Sequence, residues 1–247
     1  MLTGLSAYYD RHGINTVGFR CSHQSACRAT SPRFTTAKAS YVGPEYEAGH
    51  GPRLLFLSLD SGIGVPDPTE RTIQAVRRQT LACDVDGLPK GRHWYQTHEM
   101  AWLLLRPFHP DLTIRDSRRY FAHVNSAKCC ANNEGKSKAS GVLFRNCREF
   151  IPGELQILQP DSVVTQGAEA RDVIVKACGT VKEHERREIN GAAFETGVLS
   201  LVPGKPTLWL QTYHPNNYGK FWPQKKQCWL LYVTKVGEFM AQRGVPD

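Results

Sequence analysis

Three times in this 247-residue chain an apolar run of strand length breaks off into a short polar signature. Leu54-Leu55-Phe56-Leu57 runs into Ser58-Leu59-Asp60-Ser61-Gly62, and Phe121-Ala122-His123-Val124 into Asn125-Ser126-Ala127-Lys128-Cys129. Leu208-Trp209-Leu210-Gln211 runs into Thr212-Tyr213-His214-Pro215-Asn216. Apolar runs bounded by turn residues suit strands buried on both faces of a parallel sheet. Ligands of open α/β sheets bind beyond the carboxyl ends of such strands. An acid, an amide and an imidazole delivered there predict one shared pocket.

The segments between the runs carry helical signals. Thr69 is placed to cap a helix through Arg78, with Glu70 favourable in its first turn. Trp94 to Leu105 has helical spacing that ends before Pro107. Val142, Phe144, Phe150, Ile151, Leu155 and Leu158 follow a helical period that Pro152 bends or splits. Asp161–Gln166 reads as a further core strand, Val198–Val202 as an edge strand and Leu208–Tyr213 as the last core strand, with helices over Ala168–Ala177 and Gln224–Met240. Residues 1–50 read as a short amphipathic helix around Leu5, Tyr8 and Tyr9 followed by loop, and Cys130–Ser140 as a surface loop. Strands alternating with helices predict a parallel sheet covered on both faces.

Charge and cysteine usage narrow the class. With 31 Lys and Arg against 23 Asp and Glu the formal charge is +8, which suits a polyanionic partner. No stretch approaches the roughly 18–20 apolar residues of a membrane helix, and the first residues show no basic segment leading into a long apolar one. The expectation is a cytoplasmic monomer with no membrane partner. Eight cysteines in a chain of this length point to reduced thiols used as ligands rather than to a secreted disulfide scaffold.

The order of the three signatures resembles the uracil-DNA glycosylase superfamily, and most closely its iron-sulfur branch in bacteria and archaea. That family's middle motif, an apolar strand ending Asn-x-x-Lys-Cys, is met in full by Asn125 to Cys129. Its last, Thr-Tyr-His-Pro before a small or polar residue, is met by Thr212 to Asn216. Its first, a Gly-x-Asp-Pro or Gly-Glu-Ala-Pro-Gly turn, is matched in position by Ser58 to Gly62 but not fully in residues. Cys147-Arg148-Glu149-Phe150, Leu155, Gln159-Pro160-Asp161 and Val163 to Ala168 resemble the stretch between, so the match covers residues 52 to 240. It implies an α/β fold of three layers, α/β/α, around a central, mainly parallel four-stranded sheet. It also implies a single domain over residues 1–247, with residues 1–50 as an N-terminal arm carrying two ligand cysteines.

What the resemblance implies for function is a monofunctional DNA glycosylase. Such an enzyme rotates a deaminated or modified pyrimidine, uracil by default, out of the stack and hydrolyses its bond to deoxyribose. The residues fit that chemistry. Asn125 has a donor and an acceptor with which to read a pyrimidine edge. The base leaves as an anion while the sugar becomes cationic, which calls for a donor at the base oxygen and a carboxylate near the sugar or the attacking water. By similarity these are His214 and Asp60. Trp94 or Tyr95 would stack on the base, with Ser58 and Gly62 in the turn beside it. Lys136, Lys138 and Lys220, with Lys225 and Lys226, are candidates for DNA phosphates. Asn216 and Tyr218 occupy the place where the family inserts a wedge loop into the stack.

Cys21, Cys27, Cys129 and Cys147 correspond to the four thiolates that hold a 4Fe-4S cluster in that branch. There the first pair is Cys-x-x-Cys, whereas five residues intervene here. A four-thiolate zinc site is the rival, as is Cys130 in place of Cys129; Cys83, Cys178 and Cys228 read as ordinary buried thiols. Ser58 and Ser61 replace the family's Gly and Pro, and the long segment 63–92 does not align with it. An enlarged pocket for a bulky hypermodified base of viral DNA, an antiviral role instead of repair, is therefore an open alternative. So are a non-catalytic DNA-binding relative and a zinc protein with an unrelated hydrolase pocket.

Overall fold

A computed structural model describes residues 1–61, 67–130, 139–179, 181–189, 192–202, 204–215 and 222–243. Their strands are β1 (Tyr41–Val42), β2 (Leu54–Asp60), β3 (Phe121–Ala127), β4 (Ser162–Gln166), β5 (Lys182–Ile189), β6 (Ala192–Val202) and β7 (Lys205–Thr212). Their α-helices are α1 (Leu2–Arg11), α2 (Gln24–Arg28), α3 (Pro44–Ala48), α4 (Ile73–Ala82), α5 (His93–Leu105), α6 (Gly141–Cys147), α7 (Ile151–Leu158), α8 (Ala168–Cys178) and α9 (Trp222–Ala241).

All of these strands join one sheet in the order β1-β3-β2-β4-β7-β6-β5. β3, β2, β4 and β7 are parallel to one another, β1 pairs antiparallel with β3, and β6 and β5 extend the opposite edge antiparallel. The expected four-stranded sheet is thus corrected to seven strands, the four parallel ones forming its middle. The additional strands carry weak signals. β1 is two residues long, and β5 (Lys-Glu-His-Glu-Arg-Arg-Glu-Ile) is charged and almost wholly exposed, with no apolar alternation. β6 extends the expected strand back from Val198 to Ala192 and, paired with both β7 and β5, is not the sheet's edge as expected. Charges along β5 keep an open sheet edge from pairing with another chain.

Period two sends alternate residues of the parallel strands to opposite faces. Leu55, Leu57, Ala122, Val124, Val163 and Trp209 enter one buried cluster with Leu5 of α1, Leu143 and Phe144 of α6, Leu155 of α7 and Ile174 of α8. Leu54, Phe56, Phe121, Val164, Leu208 and Leu210 enter another with Met100, Ala101 and Leu104 of α5 and Trp229, Tyr232, Val236 and Met240 of α9. Helices therefore cover both faces of the sheet.

Two helix boundaries differ from expectation for local reasons. Pro68–Arg71 forms a 3-10 turn in which Asp67 accepts from Thr69 N–H at 2.8 Å, and the α-helix starts only where Thr72 accepts from Ala75 N–H. Thr72, not Thr69, is its cap. Pro152 does split the segment 142–158: it lies in the first turn of α7, where a missing N–H forfeits no helical bond.

The first fifty residues hold more than a helix and a loop. Tyr8 Oη donates to Phe150 O at 3.0 Å, Thr35 and Cys130 exchange backbone hydrogen bonds, and Lys38 N–H donates to Lys128 O at 3.0 Å. Tyr41 and Val42 then pair with His123 and Ala122. These contacts lie far along the chain, so local periodicity gives no sign of them. No helix among the described residues is long and apolar enough to cross a membrane.

Candidate active site

The face of the sheet that packs on α5 and α9 changes chemistry at one level. Along β2 it reads Leu54, Phe56, then Ser58, Asp60; along β3, Phe121, then His123, Asn125; along β4, Val164, then Gln166; and along β7, Leu208, Leu210, then Thr212, with His214 two residues on. Parallel register sets Ser58 beside Asn125 and Gln166 beside Thr212, so the apolar-to-polar change lines up across neighbouring strands. It lies at their carboxyl ends, where β2 has sent the chain to β3 on one side and receives β4 on the other. This is the topological switch point of the sheet.

Beyond that level lies a cavity of about 330 Å³. The sheet contributes Asp60, Ser61, His123 and Asn125; α4 contributes Val76, Gln79 and Thr80; Cys83, His93 and Trp94 close another side; and Lys38, Ala39 and Tyr41 complete the wall. Of the residues predicted from sequence, Asp60, Asn125 and Trp94 line this one space. Tyr95, the alternative stacking ring, follows Trp94 on α5 and does not line it. The Trp94 ring is held edge-on to His98 at 4.9 Å, His123 at 5.2 Å and Phe121 at 6.1 Å. His98 also donates from Nδ1 to Trp94 O at 2.8 Å, and burial lowers its pKa to about 4.

A buried polar chain supports the cavity floor. Ser58 Oγ donates to Gln166 Oε1, Gln166 Nε2 donates to Thr97 Oγ1 at 3.0 Å, and Thr97 Oγ1 donates to His93 O at 3.0 Å. Because the Ser58 proton is committed to Gln166, His123 Nε2 is the donor in its 2.8 Å contact with Ser58 Oγ. Burial, with the charges of His93, Lys38, His98 and Lys128, holds His123 well below the usual histidine range, so it is neutral. Ser58 thus joins β2, β3 and β4 beneath the cavity instead of pointing into it.

His214, the third predicted group, does not line the cavity but packs behind His93, which does. Their rings stack at 5.0 Å and 24°. Burial lowers the His214 pKa, partly offset by Glu169, which keeps the ring a neutral N–H donor near pH 7. Gly167 allows this approach: its φ is +104°, and a Cβ there would stand 3.3 Å from Leu59 Cδ2 and 3.4 Å from His214 Cβ.

Asn125 is fixed from beneath. The fully buried Lys128 donates from Nζ to Asn125 O at 2.8 Å and pairs with Glu154, itself fully buried in α7. Glu154 Oε1 also accepts from Tyr9 Oη at 2.6 Å and Ser40 Oγ at 2.9 Å. The lysine of Asn-x-x-Lys-Cys is therefore a strut that joins the N-terminal arm, α7 and the end of β3.

The four predicted ligand cysteines gather beside this strut. Cys27, Cys129 and Cys147 share one buried cluster, with Cys21 packed against it, and none is in a disulfide. Burial raises the Cys129 pKa, as do the charges of Cys147, Cys21 and Cys27; that of Cys147 rises to about 11 by burial, with Cys27 and Cys21 adding to it. Lys128 N–H donates to Cys147 Sγ at 3.3 Å and Asn146 Nδ2 to Cys27 Sγ at 3.4 Å. Among the described residues no three His, Cys, Asp or Glu side chains surround a point closely enough to hold one metal ion. A cubane spreads its four thiolates over four different irons, so the set fits a cluster by chemistry and burial without converging on one atom.

Gly62, Lys136, Lys138, Asn216, Tyr218 and Lys220 lie outside the described residues, as do the side chains of Lys225 and Lys226. Sequence reasoning assigned no role to Lys38, His93, His123 or the α4 wall. His123 had a signal, since it precedes Asn125 by two residues and shares its strand face. Lys38 had none, lying in a stretch without periodicity. No protein-family model matches the sequence, and no curated protein matches it.

Proposed function

We propose that this protein is a DNA glycosylase that takes a deaminated or modified pyrimidine into the cavity and hydrolyses its N-glycosidic bond, leaving an abasic site. One observation carries the reading: Asp60 and Asn125, on adjacent parallel strands, line one cavity whose His93 wall stacks on His214. Three groups expected to converge from distant parts of the chain are thereby linked at one sheet end. The formal charge of +8 suits the polyanionic substrate.

In this reading the flipped base lies against Trp94, and the Asn125 carboxamide pairs with its edge. As the bond to the sugar lengthens, negative charge grows on the base oxygen and positive charge on C1′. Neutral His214 is assigned the hydrogen bond to the first, keeping its own proton, and the Asp60 carboxylate stabilises the second and orients water toward it. The uncharged His123 and the Ser58–Gln166–Thr97 chain keep the floor rigid, so the donors need not reorganise during reaction. Cys21, Cys27, Cys129 and Cys147 would hold a 4Fe-4S cluster, whose contribution when bound is to tie the N-terminal arm to the end of β3.

The test is to incubate the protein with duplexes carrying uracil, mismatched thymine or hypermodified cytosines and to assay alkali-labile abasic sites. Release from any of them supports the reading; a protein that binds these duplexes and releases no base is the non-catalytic relative.

A further inference from the structure

Among the described residues, Lys128 and Lys38 stand near the candidate site, and they are held in opposite ways. Lys128 is locked inside the protein with its ammonium on Glu154 and Asn125 O. Lys38 lines the cavity together with Asp60, Asn125 and His93. Its backbone is clamped on both sides of the site: Lys38 N–H donates to Lys128 O, and the next N–H, of Ala39, donates to Arg71 O at 3.0 Å. Arg71 in turn donates from Nη2 to Ser61 Oγ at 2.8 Å, in the turn that follows Asp60. Lys38 is thus built into the wall between the end of β3 and the Asp60 turn. Burial, and then the Arg71 guanidinium, lower its pKa, which raises the share of free amine.

We infer that Lys38 is an imine-forming nucleophile that acts on the aldehyde of an abasic deoxyribose held in this cavity, giving the protein a strand-nicking activity. The inference rests on the base-release reading, because that reaction supplies the aldehyde. The amine nitrogen adds to C1′, water leaves and a protonated imine forms. The Asp60 carboxylate then takes a proton from C2′. The electron pair of that C–H bond becomes the C2′=C3′ bond as the C3′–O bond breaks, and the 3′ phosphate leaves with its bonding pair. Water hydrolyses the imine and returns the free amine, so no oxidant or reductant is consumed.

The test uses the full-length protein and a duplex with a preformed abasic site, so that base release is not needed. With sodium cyanoborohydride present to reduce the imine, wild type is expected to give a covalent protein–DNA adduct that maps to Lys38, and a nick without alkali when the reductant is omitted. Lys38→Met and the charge-preserving Lys38→Arg should each cut the adduct by about tenfold or more, since an arginine forms no such imine. A wild type that yields no adduct, or an adduct that persists in both variants, overturns the inference. Base release from a modified duplex without any adduct sinks this step alone and leaves the glycosylase reading standing. An adduct on preformed abasic DNA from a protein that releases no base supports the step and sinks that reading instead.

Discussion

Glu154→Gln should destabilise the protein by about 3 kcal/mol. The substitution keeps an oxygen where Tyr9 Oη and Ser40 Oγ donate, but replaces the carboxylate facing Lys128 with a neutral amide. Lys128 is about 2% exposed and Glu154 fully buried, so water cannot take over the lost interaction. Breaking one side of such a buried pair costs roughly 3–5 kcal/mol, and the conserved hydroxyl contacts place Gln at the low end. Against a total stability of about 5–15 kcal/mol the variant remains folded. With an m-value of about 3 kcal/mol/M, its urea midpoint should fall by roughly 1 M. Lys128→Met should cost a similar amount, and the double variant clearly less than the sum, because it no longer buries an unmatched charge. Since Lys128 also holds Asn125 O, both single variants should weaken base binding. Strictly additive losses, or a Glu154→Gln shift under about 0.3 M, would show that the pair is not the strut described here.

Trp94→Ala should raise KM about 5- to 150-fold, the worth of one stacked base, while Tyr95→Ala stays within about twofold because its ring does not line the cavity. Acidification should destabilise the fold through its buried neutral histidines. The His98 pKa falls from 6.5 to about 4 on folding, so its titration costs the fold nothing above pH 6.5 and destabilises it progressively as pH drops toward 4, where the loss amounts to about 3 kcal/mol. The stability gap between wild type and His98→Gln should therefore narrow from pH 7.5 to pH 4.5; a gap independent of pH would contradict the assignment. Cys129→Ala and Cys147→Ala should each abolish bound iron and acid-labile sulfide, and Cys83→Ala should retain both; one zinc per chain without sulfide would favour the zinc site.

The parts of the fold that could be read ahead of the coordinates are those whose signal is local. β2, β3, β4 and β7 are apolar runs, and α5, α8 and α9 keep a helical period, so their existence and order follow from neighbouring residues. β5 could not be read this way: its Lys, Glu and Arg side chains face solvent, and it is a strand because β6 offers it a free edge. Tyr41 and Val42 likewise become a strand only through pairing with β3. The site divides similarly. Asp60, Asn125 and His214 close apolar strands and are visible as strand ends. Lys38 and the α4 residues Gln79 and Thr80 enter the cavity through tertiary contacts alone, and Ser58, expected beside the base, is drawn beneath it by Gln166 and His123.

The convergence of Asp60, Asn125 and His214 on one nucleobase is tested most directly by single-turnover base release from a duplex substrate, comparing wild type with Asp60→Asn, His214→Ala and the double variant. Each single change should slow release by about 10²–10⁴-fold with DNA affinity retained, and the double variant should fall short of the product of the two, as groups serving one transition state do. Release at the wild-type rate by Asp60→Asn or by His214→Ala would contradict the account.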